Sequence, residues 1–185
     1  MSEEMIYNGI YHIKKESVAV KKTLIVIDMQ HDFIYGALGN AQTQAVVPYV
    51  RQKIERCAAE GWDIIYTRDT HFDNYLQTQE GRHLPVVHCV QGSDGWQIVE
   101  GLYREGCRII DKPNFGWPHW DEVELEYAEL IGVCTDICVV SNALAIKAQH
   151  PEITVAVDAA CCAGVTPQSH EAALQTMKMC QVWVK

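Results

Sequence analysis

From Thr23 onward, short unbroken apolar runs alternate with longer stretches in which apolar positions recur at helical spacing. Leu24-Ile25-Val26-Ile27 is the first such run and ends in Asp28, the pattern of a central parallel strand buried on both faces. A helical stretch over residues 42–60 follows and stops at Gly61, a C-cap residue. Further strands are predicted at Asp63-Ile64-Ile65-Tyr66-Thr67, Arg108-Ile109-Ile110-Asp111, Glu129-Leu130-Ile131-Gly132-Val133, Ile153–Val157 and Val182-Trp183-Val184. Helices are predicted over residues 136–149 and Pro167–Met179, and Gly101–Glu105 reads as lying in or just beyond a short helix. Residues 70–96 mix His, Gly and Pro without period and read as a long loop of the kind that carries function. The alternation predicts an α/β fold: a doubly wound, mostly parallel six-stranded sheet with helices on both faces. Residues 1–21 are polar and irregular apart from an Asn8-Gly9 turn signal and read as an N-terminal extension to a domain over 22–185.

Composition narrows the function. A net charge of −9 argues against nucleic-acid binding, which needs a concentrated basic face. No apolar run approaches the ~20 residues of a membrane span, and the N-terminal residues show no signal-peptide core. Eight cysteines in a chain with these features predict free thiols in a reducing cytoplasm rather than a disulfide scaffold.

In an open α/β sheet, reactive groups gather beyond the carboxyl ends of the strands. Asp28 closes the first predicted strand, Asp69 the second and Lys112 the third, while the fourth runs into Cys134-Thr135-Asp136-Ile137-Cys138. Thr135 or Asp136 can cap the next helix, placing Cys138 in its first turn, where the dipole and free N–H groups favour a thiolate and an oxyanion. Asp28 can then move the thiol proton, with Lys112 either holding the Asp28 charge and biasing its pKa downward or stabilising negative charge in the transition state. Read alone, Cys138 would be one more small buried residue; the neighbouring strand-end groups favour the nucleophile. A second constellation, Asp69-Thr70-His71 with His88, offers metal ligands on one side of an ion, with Glu80 and His83 as alternative or additional ligands. His12, His119 and His150 have no partner by spacing and read as surface or structural residues.

These residues resemble the isochorismatase-like cysteine hydrolases, nicotinamidase-related branch, over roughly residues 22–184. Leu24 to Gln30 with Asp32-Phe33 is similar to the family's first-strand signature, Lys112-Pro113 with Phe115-Gly116 to its lysine segment, and Gly132 to Cys138 to its G-x-x-T-x-x-C turn. Asp158-Ala159 and His170 to Leu174 are similar to a later signature. The resemblance implies an Asp28–Lys112–Cys138 triad, a thioester intermediate, and a cis peptide before Cys134 that aims the Cys134 and Cys138 backbone N–H groups at the oxyanion. Asp69, His71 and the run His88-Cys89-Val90-Gln91-Gly92 resemble the branch's metal site, implying one divalent ion, zinc first with iron or manganese as alternatives. The ion would hold a pyridine nitrogen, with Phe33 flanking the ring.

The chain departs from that branch just upstream of His88, where Pro85 and Val86 stand in place of a ring-stacking Trp-Pro pair. Phe115, Trp117 and Trp120 offer a substitute wall, with core packing as their alternative role. The implied function is hydrolysis of nicotinamide or a similar small amide to acid and ammonia by a homo-oligomer, dimer or tetramer. A metal-independent hydrolase of a carbamoyl or ureido substrate and a non-catalytic binding subunit are the alternatives.

Overall fold

The computed structural model describes residues 20–185; the Asn8-Gly9 turn, His12 and most of the proposed extension lie outside them. The elements in chain order are β1 (Lys22–Ile27), α1 (His31–Ile34), α2 (Ala41–Ala59), β2 (Asp63–Asp69), α3 (Gln79–His83), β3 (Arg108–Lys112), β4 (Tyr127–Val133), α4 (Val140–Gln149), β5 (Thr154–Ala163), α5 (Pro167–Met179) and β6 (Trp183–Val184). The six strands form one sheet in the order β3-β2-β1-β4-β5-β6, and every pair is parallel. Winding reverses between β1 and β4, which opens a crevice at their carboxyl ends.

The unbroken apolar run of β1 serves two cores. Leu24 and Val26 pack toward α2 with Val46, Val50 and Ile54, while Ile25 and Ile27 pack toward α4 and α5 with Ala143, Ile146 and Leu174. Asn40 and Thr43 form a reciprocal capping box on α2, and Thr166 and Ser169 do the same on α5, whose first residue is Pro167.

Three sequence expectations change. The helix expected around Gly101–Glu105 is replaced by a 3₁₀ turn at Asp94–Trp96 followed by turns, since Gly101 and Gly106 take left-handed φ values of 76° and 83°. The loop over 70–96 is partly ordered into α3 and a 3₁₀ turn at Tyr75–Gln77. β5 runs on past Val157, because its pairing register with β4 shifts between Leu130 and Gly132 and absorbs the polar interruption at Asp158.

A buried ion cluster ties α2 to β4 and β5. Glu129, fully buried on β4, pairs with Lys53 of α2 and with Lys185, and Lys53 also reaches Asp158 at 2.7 Å. Burial raises the Glu129 pKa, but its contacts with Lys185 and Lys53 outweigh that and leave it below the usual carboxylate value. A depressed folded-state pKa gives stability that is present above the unfolded value and lost as pH falls through the folded one. Glu129→Gln is therefore expected to lower stability at neutral pH and to flatten the loss of stability between neutral pH and the acid range, read by urea denaturation across pH. An acid dependence as steep as that of the unmodified protein would contradict this role.

Candidate active site

Asp28 follows β1 directly and takes a left-handed φ of 46°, which turns its side chain into the protein at the switch point. Thr67 Oγ1 donates to Asp28 Oδ1 at 2.6 Å and accepts from the Asp28 backbone N–H at 3.2 Å. From the end of β3, Lys112 Nζ lies 2.7 Å from Asp28 Oδ2, 3.5 Å from Asp69 Oδ1 and 3.6 Å from Cys138 Sγ, and donates to the Asn114 carbonyl at 3.1 Å. Asp28 and Lys112 are wholly buried and Cys138 is 4% exposed.

Burial shapes the ionisation of this group. It raises the Asp28 pKa by more than Lys112 lowers it, with the charge on Asp69 adding to the rise. It pushes the Cys138 thiol well above its ordinary value, again outweighing Lys112. For Lys112, burial opposes the charge, but Asp28, Cys138 and Asp69 together raise its pKa. The downward bias on Asp28 expected from sequence is thus reversed, and burial opposes the thiolate that the helix start favours. Burial favours the protonated form of both Cys138 and Asp28.

The turn that carries Cys138 depends on close approach. Gly132 sits at φ 116°, and a Cβ there would stand 2.1 Å from the Ile27 carbonyl oxygen, so only glycine lets β4 lie against the end of β1. The Val133–Cys134 peptide is cis, as the resemblance implies. A π-helical turn over Thr135–Val139 follows and runs into α4, with the N–H groups of Ile137 and Val139 donating to the Cys134 carbonyl. Neither Thr135 nor Asp136 caps this helix. Thr135 Oγ1 instead bonds His170 Nδ1 at 2.8 Å, and Asp136 accepts the Val165 N–H with both oxygens at 3.1 Å.

Asp69, His71, Glu80 and His88 converge with one ligand atom each, all within 4.8 Å of one another. His71 Nε2 lies 3.0 Å from Asp69 Oδ2 and 3.6 Å from Glu80 Oε1, and His88 Nε2 lies 3.7 Å from Asp69 Oδ2. His71 Nε2 is buried yet makes no hydrogen bond, so despite its proximity to Asp69 it points to a common centre. Two imidazoles and two carboxylates around such a centre fit a divalent transition-metal ion. His88 Nδ1 is fixed on the Val86 carbonyl at 2.7 Å, and Tyr75 packs against both imidazoles with its hydroxyl donating to the Leu84 carbonyl. Burial opposes ionisation of Asp69, but His71, His88 and Lys112 overcome it and hold its carboxyl far below the usual range. Glu80 joins the cluster, whereas His83 is exposed and bonds the Gln79 carbonyl.

Several supporting residues carried no assigned role in sequence. Fully buried Gln30 donates to the carbonyls of Asp69 and Trp96, both at 2.9 Å, and accepts the Asp69 N–H at 2.7 Å, locking the end of β2. Thr67 and Tyr75 act at one remove in the same way. A polar residue inside an apolar first-strand signature was the available signal for Gln30.

A cavity of about 260 Å³ joins the two constellations, with Cys134, Cys138, Asp69, Glu80 and His88 in its lining. Phe33, Leu38, Leu84, Phe115, Ile137 and Val165 supply its apolar walls, and Phe33 stands edge-on to His88 with 5.6 Å between ring centroids. Trp117 and Trp120 are outside that lining: Trp117 packs edge-on against Trp120 at 5.0 Å, and the Trp117 N–H and Trp120 Nε1 both donate to Asn142 Oδ1 at 3.0 Å. The expected substrate contact at Trp117 is therefore replaced by core packing.

The fold and the grouping of these side chains at the switch point are those of a hydrolase family of α/β fold. The family model described as the Isochorismatase domain matches residues 22–185, and the chain belongs to that family. Among solved structures it is similar to the pyrazinamidase of Pyrococcus horikoshii in complex with zinc, at 28% identity over 89% of this chain and 98% of that one, with a TM-score of 0.76. The fold is shared with a nicotinamidase from Bacillus subtilis (22% identity, 89% and 99% covered, TM-score 0.76). It is also shared with the N-carbamoylsarcosine amidase of Thermoplasma acidophilum (22%, 90% and 96%, 0.73). No curated protein matches the chain. Among the described residues no helix is long and apolar enough to cross a membrane.

Proposed function

We propose that this protein is a metal-assisted cysteine amidase that converts nicotinamide, or a similar small amide, to the carboxylic acid and ammonia. One observation carries the reading: Lys112 Nζ stands 2.7 Å from Asp28 and 3.6 Å from Cys138 Sγ, and Cys138 opens on the same cavity as the Asp69–His88 cluster. Cys138 Sγ attacks the amide carbon while Asp28 takes the thiol proton. The backbone N–H groups of Cys134 and Cys138 face the oxyanion. Asp28 returns the proton to the amine, the carbon–nitrogen bond breaks, and ammonia leaves a thioester on Cys138. Water then attacks the thioester carbon, giving its proton to Asp28, which passes it to sulfur as the acid departs. Lys112 keeps the buried carboxylate compensated throughout. Asp69, His71, Glu80 and His88 would hold a divalent ion, zinc or alternatively iron or manganese, which would supply a Lewis-acid anchor for a substrate heteroatom beside Cys138. Phe33 and Phe115 flank the ring.

Ammonia release from nicotinamide by zinc-supplemented protein tests this reading, with turnover expected on the order of 1 s⁻¹ or faster. No release above the protein-free rate would overturn nicotinamide as substrate, and release from a ureido compound by metal-free protein would favour the carbamoyl alternative.

The pH profile follows from Asp28, which works as the carboxylate. Because burial raises its pKa above the ordinary 3.8, kcat/KM is expected to fall on acidification with a midpoint above that value. A limb at or below 3.8 would remove Asp28 from the proton-transfer role.

A further inference from the structure

Asn142 lies on α4, one turn past Cys138, and is completely buried. Its Nδ2 donates to the Cys138 carbonyl at 2.8 Å and to the Phe115 carbonyl at 3.0 Å, and its Oδ1 accepts from Trp117 and Trp120. Both donors and both acceptor positions of the amide are used. The same segment is held from its other end, where Lys112 donates to the Asn114 carbonyl while touching Cys138 Sγ. A closed circuit results: sulfur to Lys112, Lys112 to Asn114, along the chain to Phe115, Phe115 to Asn142, and Asn142 back to the Cys138 backbone.

We infer that Asn142 is a positioning residue that couples the Cys138 turn to the Phe115 wall of the substrate cavity. The inference rests on the reading of Cys138 as nucleophile. Displacement of Phe115 by an incoming ring is transmitted through one side chain to the peptide that carries the sulfur, and a misplacement there of about 1 Å can cost as much as a hundredfold in rate.

Asn142→Asp tests this, because it keeps the shape and the acceptor toward Trp117 and Trp120 but sets an oxygen against two carbonyls. Trp120→Phe is the control, since it loses one bond on the far side of Asn142 and leaves both donors in place. Hydrogen exchange read by mass spectrometry needs no substrate. In Asn142→Asp the segments 112–118 and 134–140 are expected to exchange together about tenfold faster, whereas in Trp120→Phe the segment 134–140 stays protected. With nicotinamide, kcat is expected to fall about tenfold or more in Asn142→Asp, and kcat/KM to hold in Trp120→Phe even where its Tm is lowered. Asn142→Ser, which retains one donor, serves if the aspartate variant does not fold. Unchanged exchange over 134–140, an equal rise in the Trp120→Phe control, or failure of both Asn142 variants to fold would assign Asn142 to stability alone and overturn the coupling. An enzyme inert toward nicotinamide would overturn that substrate but leave the exchange result to decide the role of Asn142.

Discussion

Cys138→Ala is expected to abolish amide hydrolysis, with kcat falling by about 10⁴-fold or more, while the protein stays folded. Loss of one buried sulfur from a packed site costs roughly 1 kcal/mol, and Lys112 keeps its ion pair with Asp28 in the variant. Asp28→Asn is expected to reduce kcat comparably, because proton transfer fails in both half-reactions, but with a different stability signature. It leaves the Lys112 ammonium wholly buried with only Asp69, 3.5 Å away, as a charged partner. Breaking a buried pair in this way costs about 3–5 kcal/mol. Ammonia release and urea denaturation run on both variants separate the two effects. A Cys138→Ala protein with turnover within about tenfold of the parent would refute covalent catalysis at that residue, since triad members act as a unit.

Chelation should be the second large effect. Removal of the ion from the Asp69, His71, Glu80 and His88 cluster is expected to lower nicotinamide turnover by about a hundredfold or more, with recovery on adding zinc. The same ion should stabilise the fold, because a ligand that binds only the native state at 100 times its Kd contributes about 2.7 kcal/mol. His88→Ala keeps three of the four donors but loses the one whose ring is fixed by Val86, Tyr75 and Phe33, and its Tm is expected to respond little to zinc. Elemental analysis of the purified protein completes the test. A protein with no bound transition metal, indifferent to chelator in both rate and Tm, would rule out the metal-assisted reading and leave the triad to act on another substrate.

Much of this architecture was legible because the strands leading to the rim are short, mainly apolar runs that end in or lead straight into a reactive residue. That pattern marks both the strand and the rim where Asp28, Asp69 and Lys112 lie. Residues placed by long-range contacts were harder to read. Glu80 enters the cluster only because α3 folds the loop back over His71, and Gln30 finds its partner at Asp69, 39 residues away. The aromatic segment after Lys112 looked like one wall, yet Asn142 divides it by taking the N–H groups of Trp117 and Trp120 into the core and leaving Phe115 at the cavity. Capping by Thr135 or Asp136 was a sound local expectation, displaced by a π-helical turn that commits those side chains to His170 and Val165. The ionisation of the site was misjudged for a similar reason. Charge neighbours can be guessed from strand ends, but the completeness of burial at Asp28 and Cys138 belongs to the assembled fold.

The sheet order has a consequence for how activity arises. Lys22 pairs with Tyr127, so the innermost strand contact joins segments far apart in the chain, a closure that is entropically costly and slow. Strands β1, β2 and β3 carry Asp28, Asp69 and Lys112, whereas Cys138 follows β4, so neither half of the sheet holds the whole site. β4 leads into the turn that carries the thiol, so its contact with β1 joins the two parts of the site. Regain of activity on refolding is therefore expected to track closure of the β1–β4 contact, read by turnover and hydrogen exchange on the same samples.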